Sequence, residues 1–205
     1  FAAYVFAMYT TTVANTNFII TTETIFLALF GYFFLKEKIN LITFISIILG
    51  MSGVLIILGS SLSIQSSEQF LGNIVAFIMP ISFAVLVIVI RKYPNVDMVP
   101  AQFTAGIAAA VIGFFIAGQL LISIHDLFLA LLAGFFQIGF GFILITVGSQ
   151  TTPAAIVGVM MLTESVFGPL WAWLFINEVP PTAVVIGGSI IIFSILFQSF
   201  FTKKA

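Results

Sequence analysis

Four of the seven acidic side chains in this 205-residue chain form two pairs with one spacing. Glu23 precedes Glu37 by 14 residues, and Glu164 precedes Glu178 by the same 14. Around them, Thr22-Glu23-Thr24-Ile25-Phe26 matches Thr163-Glu164-Ser165-Val166-Phe167 at an offset of 141 residues (164 − 23). Across 10–37 that offset keeps nine identities: Thr10, Thr11, Ala14, Thr22, Glu23, Phe26, Leu29, Phe34 and Glu37. The apolar matches carry little weight in so apolar a chain. The acids carry more, because two pairs share both the offset and the internal spacing, and they indicate a duplication.

A helix rising 1.5 Å per residue places Glu23 about 20 Å from Glu37, and Glu164 equally far from Glu178. Both inner carboxyls then lie near the middle of long apolar helices. Even the lower scales put a charged Asp at such a depth at about 2.5–3.5 kcal/mol, so an ionisable group there usually faces a bundle interior and often has a function. Either carboxyl could exchange a proton for a substrate, or act as the counter-charge of an amine. The structural alternative is a neutral carboxyl hydrogen-bonded to a carbonyl or a Ser/Thr across a helix interface.

Thr16, seven residues before Glu23, and Phe26, three after it, share one helical face with it. Phe167 and Trp171 occupy the corresponding stripe after Glu164. Aromatic faces beside a carboxylate could hold a cationic or amphiphilic metabolite; packing or lipid contact is the alternative. Gln137, among Gly134, Gly139 and Gly141, is an amide that needs a partner in lipid, either a substrate or a neighbouring helix. Asn73, Pro80 and the pair Gly168-Pro169 could open the backbone ladder as hinges or cavity-facing carbonyls. Glu37, Glu68, Asp97 and Asp126 read as solvated loop acids, and His125 as a surface residue at a turn.

The elements that must position these groups follow from composition. The chain is 61% apolar and 6% charged, with a mean hydropathy of +1.29, against about a quarter charged in soluble domains. An ordinary soluble globule is excluded. A net charge of −1 offers no basic field for nucleic acid. The absence of cysteine excludes disulfides and thiolate metal sites, and with a single His no cofactor or metal is expected. Stretches of about 20 apolar residues predict an all-α polytopic bundle: a stub over 1–10 and seven full spans near 13–35, 40–59, 70–90, 99–122, 127–147, 153–176 and 182–201. They are helices rather than barrel strands, since no period-2 alternation runs through them. If the spans alternate, Lys36, Lys38, Arg91, Lys92, Lys203 and Lys204 all fall on one side. The positive-inside rule makes that side, and the C-terminus, cytoplasmic, in a multi-pass protein of the cytoplasmic (inner) membrane.

The two copies begin five crossings apart, so they run in opposite senses. Inverted repeats of this kind recur in secondary transporters, where two equivalent halves offer inward-open and outward-open states. The second copy has five spans, and its start maps to position −71 (70 − 141). The first copy then lacks two spans and most of a third, giving ten in an intact protein. The chain also opens at Phe1 inside an apolar run, without a signal-peptide pattern, and is read as a fragment.

The paired patterns Thr22-Glu23…Phe26…Leu35-Lys36-Glu37 and Thr163-Glu164…Phe167…Ile176-Asn177-Glu178 resemble the EamA family of the drug/metabolite transporter superfamily over essentially the whole chain. The resemblance implies ten helices in two inverted five-helix repeats, both termini cytoplasmic, and export of amino acids or other small metabolites. Here it divides the chain into the end of the first repeat (1–59), an external linker (60–69), the second repeat (70–201) and a cytoplasmic tail (202–205). Asn177 and Val179-Pro180-Pro181 replace the Gly-Glu-Arg type of ending common in the family, which weakens any role for Glu178.

The expected function is therefore secondary active transport of a small metabolite such as an amino acid or amine, with protons as a candidate coupling ion, by a monomer or homodimer. An intramembrane enzyme would need a nucleophile–base pair or metal ligands, and no His-Glu-x-x-His or Gly-x-Gly-Asp run occurs. No Gly-x-x-x-x-Gly-Lys loop is present for ATP. A channel would have a polar-lined pore and commonly a symmetric oligomer, and the internal inversion favours alternating access.

Overall fold

In lipid every backbone N–H and C=O must be satisfied within the protein, and an apolar run of about 20 residues achieves this as a helix. The computed structural model describes residues 2–59, 66–116, 123–177 and 179–201, and among them it contains helices and no strand. Six stretches are long and apolar enough to cross a membrane: Asn15–Leu35, Leu41–Leu58, Ser67–Lys92, Ile124–Thr151, Ala154–Phe175 and Thr182–Phe201. A seventh, Val99–Phe115, is shorter than the predicted span over 99–122, and residues 117–122 lie outside the described part. The stub forms helix α1 (Ala2–Thr10). The protein is an all-α polytopic bundle.

Contacts divide the chain into two units, Val89–Thr152 and the remainder, Phe1–Ile88 with Pro153–Ala205. The first of these holds α7 (Val99–Ile116), α8 (Ile124–Leu132), a π-helical segment Ala133–Phe140 and α9 (Gly141–Thr151). Within it, Ser123 Oγ accepts the Asp126 N–H to cap α8 (3.0 Å), and Arg91 Nη1 donates to the Gln150 carbonyl near the end of α9 (2.9 Å).

The larger unit holds α1 and most of the remaining helices. Several of its predicted spans are two helices end to end: α2 (Val13–Thr21) with α3 (Glu23–Leu35), α5 (Ser67–Ala76) with α6 (Ile78–Lys92), and α10 (Ala154–Met161) with α11 (Glu164–Ile176). Single helices α4 (Leu41–Leu58) and α12 (Thr182–Phe201) complete it. The α5–α6 break has a covalent cause, because Pro80 has no N–H to offer the Ala76 carbonyl four residues earlier. The Asn73 Oδ1 accepts the Thr11 hydroxyl (2.6 Å) and the Asn15 amide (3.3 Å), tying α5 to α2.

The 141-residue offset carries Glu23–Leu35 onto Glu164–Ile176 end for end. It also carries Lys36 onto Asn177, and both close their helices in the left-handed region, at φ 56° and 59°. Non-glycine residues rarely adopt that conformation.

Equivalent helices α4 and α12 pack against each other, and their contacts fix the direction. An ideal Cβ on Gly50 would lie 3.1 Å from Ser194 Oγ, and one on Gly53 2.7 Å from Ile191 Cγ1. Further along, a Cβ on Gly187 would lie 2.6 Å from Ile57 Cγ1. As one helix advances the other recedes, so they are antiparallel. Contacts of α3 with α10 run the same way: Gly31 meets Ala154, while Thr24 Oγ1 donates to the Gly158 carbonyl (2.9 Å). Without a hydrophobic drive between helices in lipid, such pairs rely on small residues that let backbones approach. Buried Val54, Leu162 and Ile191 fill one interface, and Leu27, Ala84, Val87 and Val157 another.

Candidate functional site

Two of the broken spans, α2–α3 and α10–α11, carry a threonine at the break. Thr22 Oγ1 donates to the Ile19 carbonyl (2.5 Å), and Thr163 Oγ1 donates to the Met160 carbonyl (2.7 Å). A hydroxyl that takes the carbonyl three residues back competes with the helical ladder and favours a bend there. The residue after each threonine is the inner glutamate, which thereby becomes the first residue of α3 or α11. A carboxylate in a first helical turn is favoured by the helix dipole, so the break and the acid suit each other.

The environments of the two carboxyls differ. Glu23 is 6% exposed, and no hydrogen bond reaches its carboxyl among the described residues. Glu164 is exposed and lines a cavity of about 190 Å³. Polar lining comes from Asn17, Thr21, Glu164 and Ser165, and Ile20, Ile57 and Leu58 form an apolar wall. Glu23 lies within electrostatic reach of Glu164. Two carboxylates so placed repel, and a cation or a proton between them removes the repulsion. Among the described residues no group of three or more His, Asp or Glu gathers to hold a metal.

The EamA-like transporter family matches residues 1–59 and 67–200. The chain belongs to that family. A protein of Clostridium kluyveri described as an uncharacterized transporter is 26% identical over 98% of this chain and 68% of its own length. One of Methanothermobacter thermautotrophicus with the same description is 28% identical over 82% of this chain, which spans about half, 51%, of that relative. One crystal structure superposes on 98% of the chain and 73% of its own with a TM-score of 0.85 at 18% identity, a likeness of fold alone. As a member of the EamA-like transporter family with several apolar helices long enough to cross a bilayer, the chain is a multi-pass membrane protein.

Of the residues singled out in the sequence of this EamA-like chain, Glu164, Gly168 and Pro169 line the cavity, Glu23 is buried and not part of its lining, and Thr16, Phe26, Phe167 and Trp171 do not join them there. Thr16 is fully buried, with its hydroxyl donated to the Thr12 carbonyl (3.1 Å). Phe26 is a packing residue, with its ring 5.9 Å from that of Phe30 and 6.5 Å from that of Phe77. Phe167 and Trp171 stack at 6.2 Å on the exposed side of α11 and are not in the cavity lining. Gln137 lies on the π-helical segment of the other unit. Asn17 and Thr21, four residues apart on α2, also line the cavity. The sequence carries a signal for Asn17, since an amide inside an apolar span needs a partner as Gln137 does.

Glu37 is not a solvated loop acid. Its Oε2 accepts the Ala154 N–H (2.8 Å) and caps the first turn of α10, 117 residues away. The left-handed turn at Lys36 brings it there, with the Glu37 N–H on the Gly31 carbonyl (3.1 Å). Glu178, the linker residues 60–65 and the tail residues 202–205 lie outside the described residues.

The offset also exposes an asymmetry. It maps the cavity residues Asn17, Thr21 and Gly168 onto Gly158, Leu162 and Leu27. Leu162 and Leu27 are buried, and Gly158 packs so closely on α3 that an added Cβ would lie 2.8 Å from Thr24 Cα. The α3–α10 pairing is thus tightly packed where the equivalent α2–α11 pairing is parted around the cavity.

Proposed function

We propose that this chain is the larger part of an alternating-access carrier built from two inverted copies, which moves a small metabolite such as an amino acid or amine out of the cytoplasm. The observation that carries this reading is the asymmetry between equivalent helix pairs. With the basic residues on the cytoplasmic side, α3 and α10 are the inner halves of their spans, and α2 and α11 the outer halves. Inner halves packed and outer halves parted describe an outward-facing state. Exchanging the two packings between the copies produces the inward-facing state, as in other inverted-repeat carriers. Glu164 faces the solute and Glu23, enclosed beside it, carries the exchanged proton.

The chain has no cysteine, so a pair introduced within it meets no competing thiol among these residues. A Cβ on Gly31 would lie 3.1 Å from that of Ala154, close to the separation a disulfide spans. With Gly31→Cys and Ala154→Cys together in the full-length protein in liposomes, oxidation is expected to stop solute counterflow and reduction to restore it. Undiminished counterflow in the fully cross-linked protein would rule out motion between α3 and α10. In Glu23→Gln, counterflow is expected to persist while solute-driven proton movement disappears; proton movement at the wild-type rate removes Glu23 from the coupling role.

A further inference from the structure

The polar groups of the cavity are mostly acceptors. An ionised Glu164 carboxylate only accepts. Thr21 has spent its hydroxyl proton on the Phe18 carbonyl (2.7 Å), which leaves its lone pairs. Pro169 lies within α11 and has no N–H for the carbonyl of the lining residue Ser165 four residues earlier, which leaves that carbonyl without its helical donor. The Asn17 amide and the Ser165 hydroxyl supply the remaining donors.

A helix N-terminus would ordinarily favour an anion, but the first turn of α11 is already occupied. The N–H groups of Ser165, Val166 and Phe167 donate to the carbonyls of Leu162 and Thr163 at 2.9–3.2 Å. Among the described residues no Lys, Arg or His lines the cavity. An incoming carboxylate would therefore meet the Glu164 carboxylate with no positive charge among the described lining residues to offset the repulsion. An ammonium group brings three donors and one positive charge. The volume of about 190 Å³ is below the 300–1,000 Å³ typical of drug-sized ligands, and the wall of Ile20, Ile57 and Leu58 suits a short alkyl stem.

From these features we infer that the cavity binds a small primary ammonium compound and rejects the same carbon skeleton bearing a carboxylate. The inference rests on the cavity being the solute site proposed above, and it narrows that site to amines over amino acids.

Isothermal titration of the purified full-length protein tests it with three probes. n-Butylammonium is norvaline without its carboxylate, and tetramethylammonium keeps the charge without the donors. n-Butylammonium is expected to bind at least tenfold more tightly than either of the others, and Glu164→Gln, matched to wild type in thermal midpoint, is expected to erase the preference. Norvaline binding as tightly as n-butylammonium, or no detectable binding of n-butylammonium, overturns the inference. Gly168→Leu, a change inside the cavity, separates that failure from failure of the site itself. If norvaline is preferred and Gly168→Leu abolishes its binding, the site stands and only the substrate class is wrong. If Gly168→Leu leaves binding of every probe unchanged, the ligand lies elsewhere and the site falls with the inference.

Discussion

Gly168→Leu is expected to lower solute counterflow at least tenfold while shifting the thermal midpoint by no more than a few degrees. A Cβ at position 168 would find no atom within 4 Å, and the residue borders the cavity. The isobutyl group has the solute's space to enter and no neighbouring helix to push aside. Its equivalent in the other copy is Leu27, which is fully buried, so the substitution gives the parted pair the side chain that fills the packed one. Helix propensity works in the variant's favour, since an interior glycine costs about 1 kcal/mol relative to alanine. Counterflow in liposomes and a melting curve together decide the matter. Transport at the wild-type rate by a well-folded Gly168→Leu protein would show that solute passes elsewhere.

The same change at Gly53 should have the opposite character, with loss of the fold. A Cβ there would lie 2.6 Å from the Gly187 carbonyl oxygen and 2.7 Å from Ile191 Cγ1. The reciprocal position is as tight, with a Cβ on Gly187 2.5 Å from the Gly53 oxygen. One obstacle in each case is backbone, which no rotamer change removes. Overpacking a core typically costs about 1–3 kcal/mol and occasionally more, and a leucine driven between two helix backbones belongs at the upper end. For a chain of this size that corresponds to a fall of about 10 °C in thermal midpoint, or to a protein recovered only as aggregate. Gly53→Leu with an unchanged midpoint would mean that α4 and α12 do not cross as closely as their glycines imply.

These two glycines mark the limit of what composition and pattern can reveal. Long apolar runs announced the helices, and the spacing of four acids announced that one set of helices echoes another. Glu23 and Glu164 stood out because an ionisable group in oil is costly wherever it sits. Gly53 and Gly168 look alike in the sequence, yet one touches backbone and the other borders empty space. Phe26 and Phe167 occupy equivalent positions beside equivalent acids, but one ring is packed among Phe30 and Phe77 and the other lies on an exposed face. In lipid a helix face toward a neighbour and one toward hydrocarbon have the same apolar character, so hydropathy cannot tell them apart.

Glu37 was illegible for a different reason. Flanked by Lys36 and Lys38, it has the local signature of a solvated turn, and its partner is the N–H of Ala154, 117 residues along the chain. The sequence by itself determined that this protein is a helical membrane bundle with a duplicated pair of inner acids, because transfer into lipid and chain spacing are local properties. Which acid opens onto a cavity, which is sealed, and which pair of equivalent helices is closed were decided only by tertiary packing, because each depends on the atoms that distant segments bring within contact.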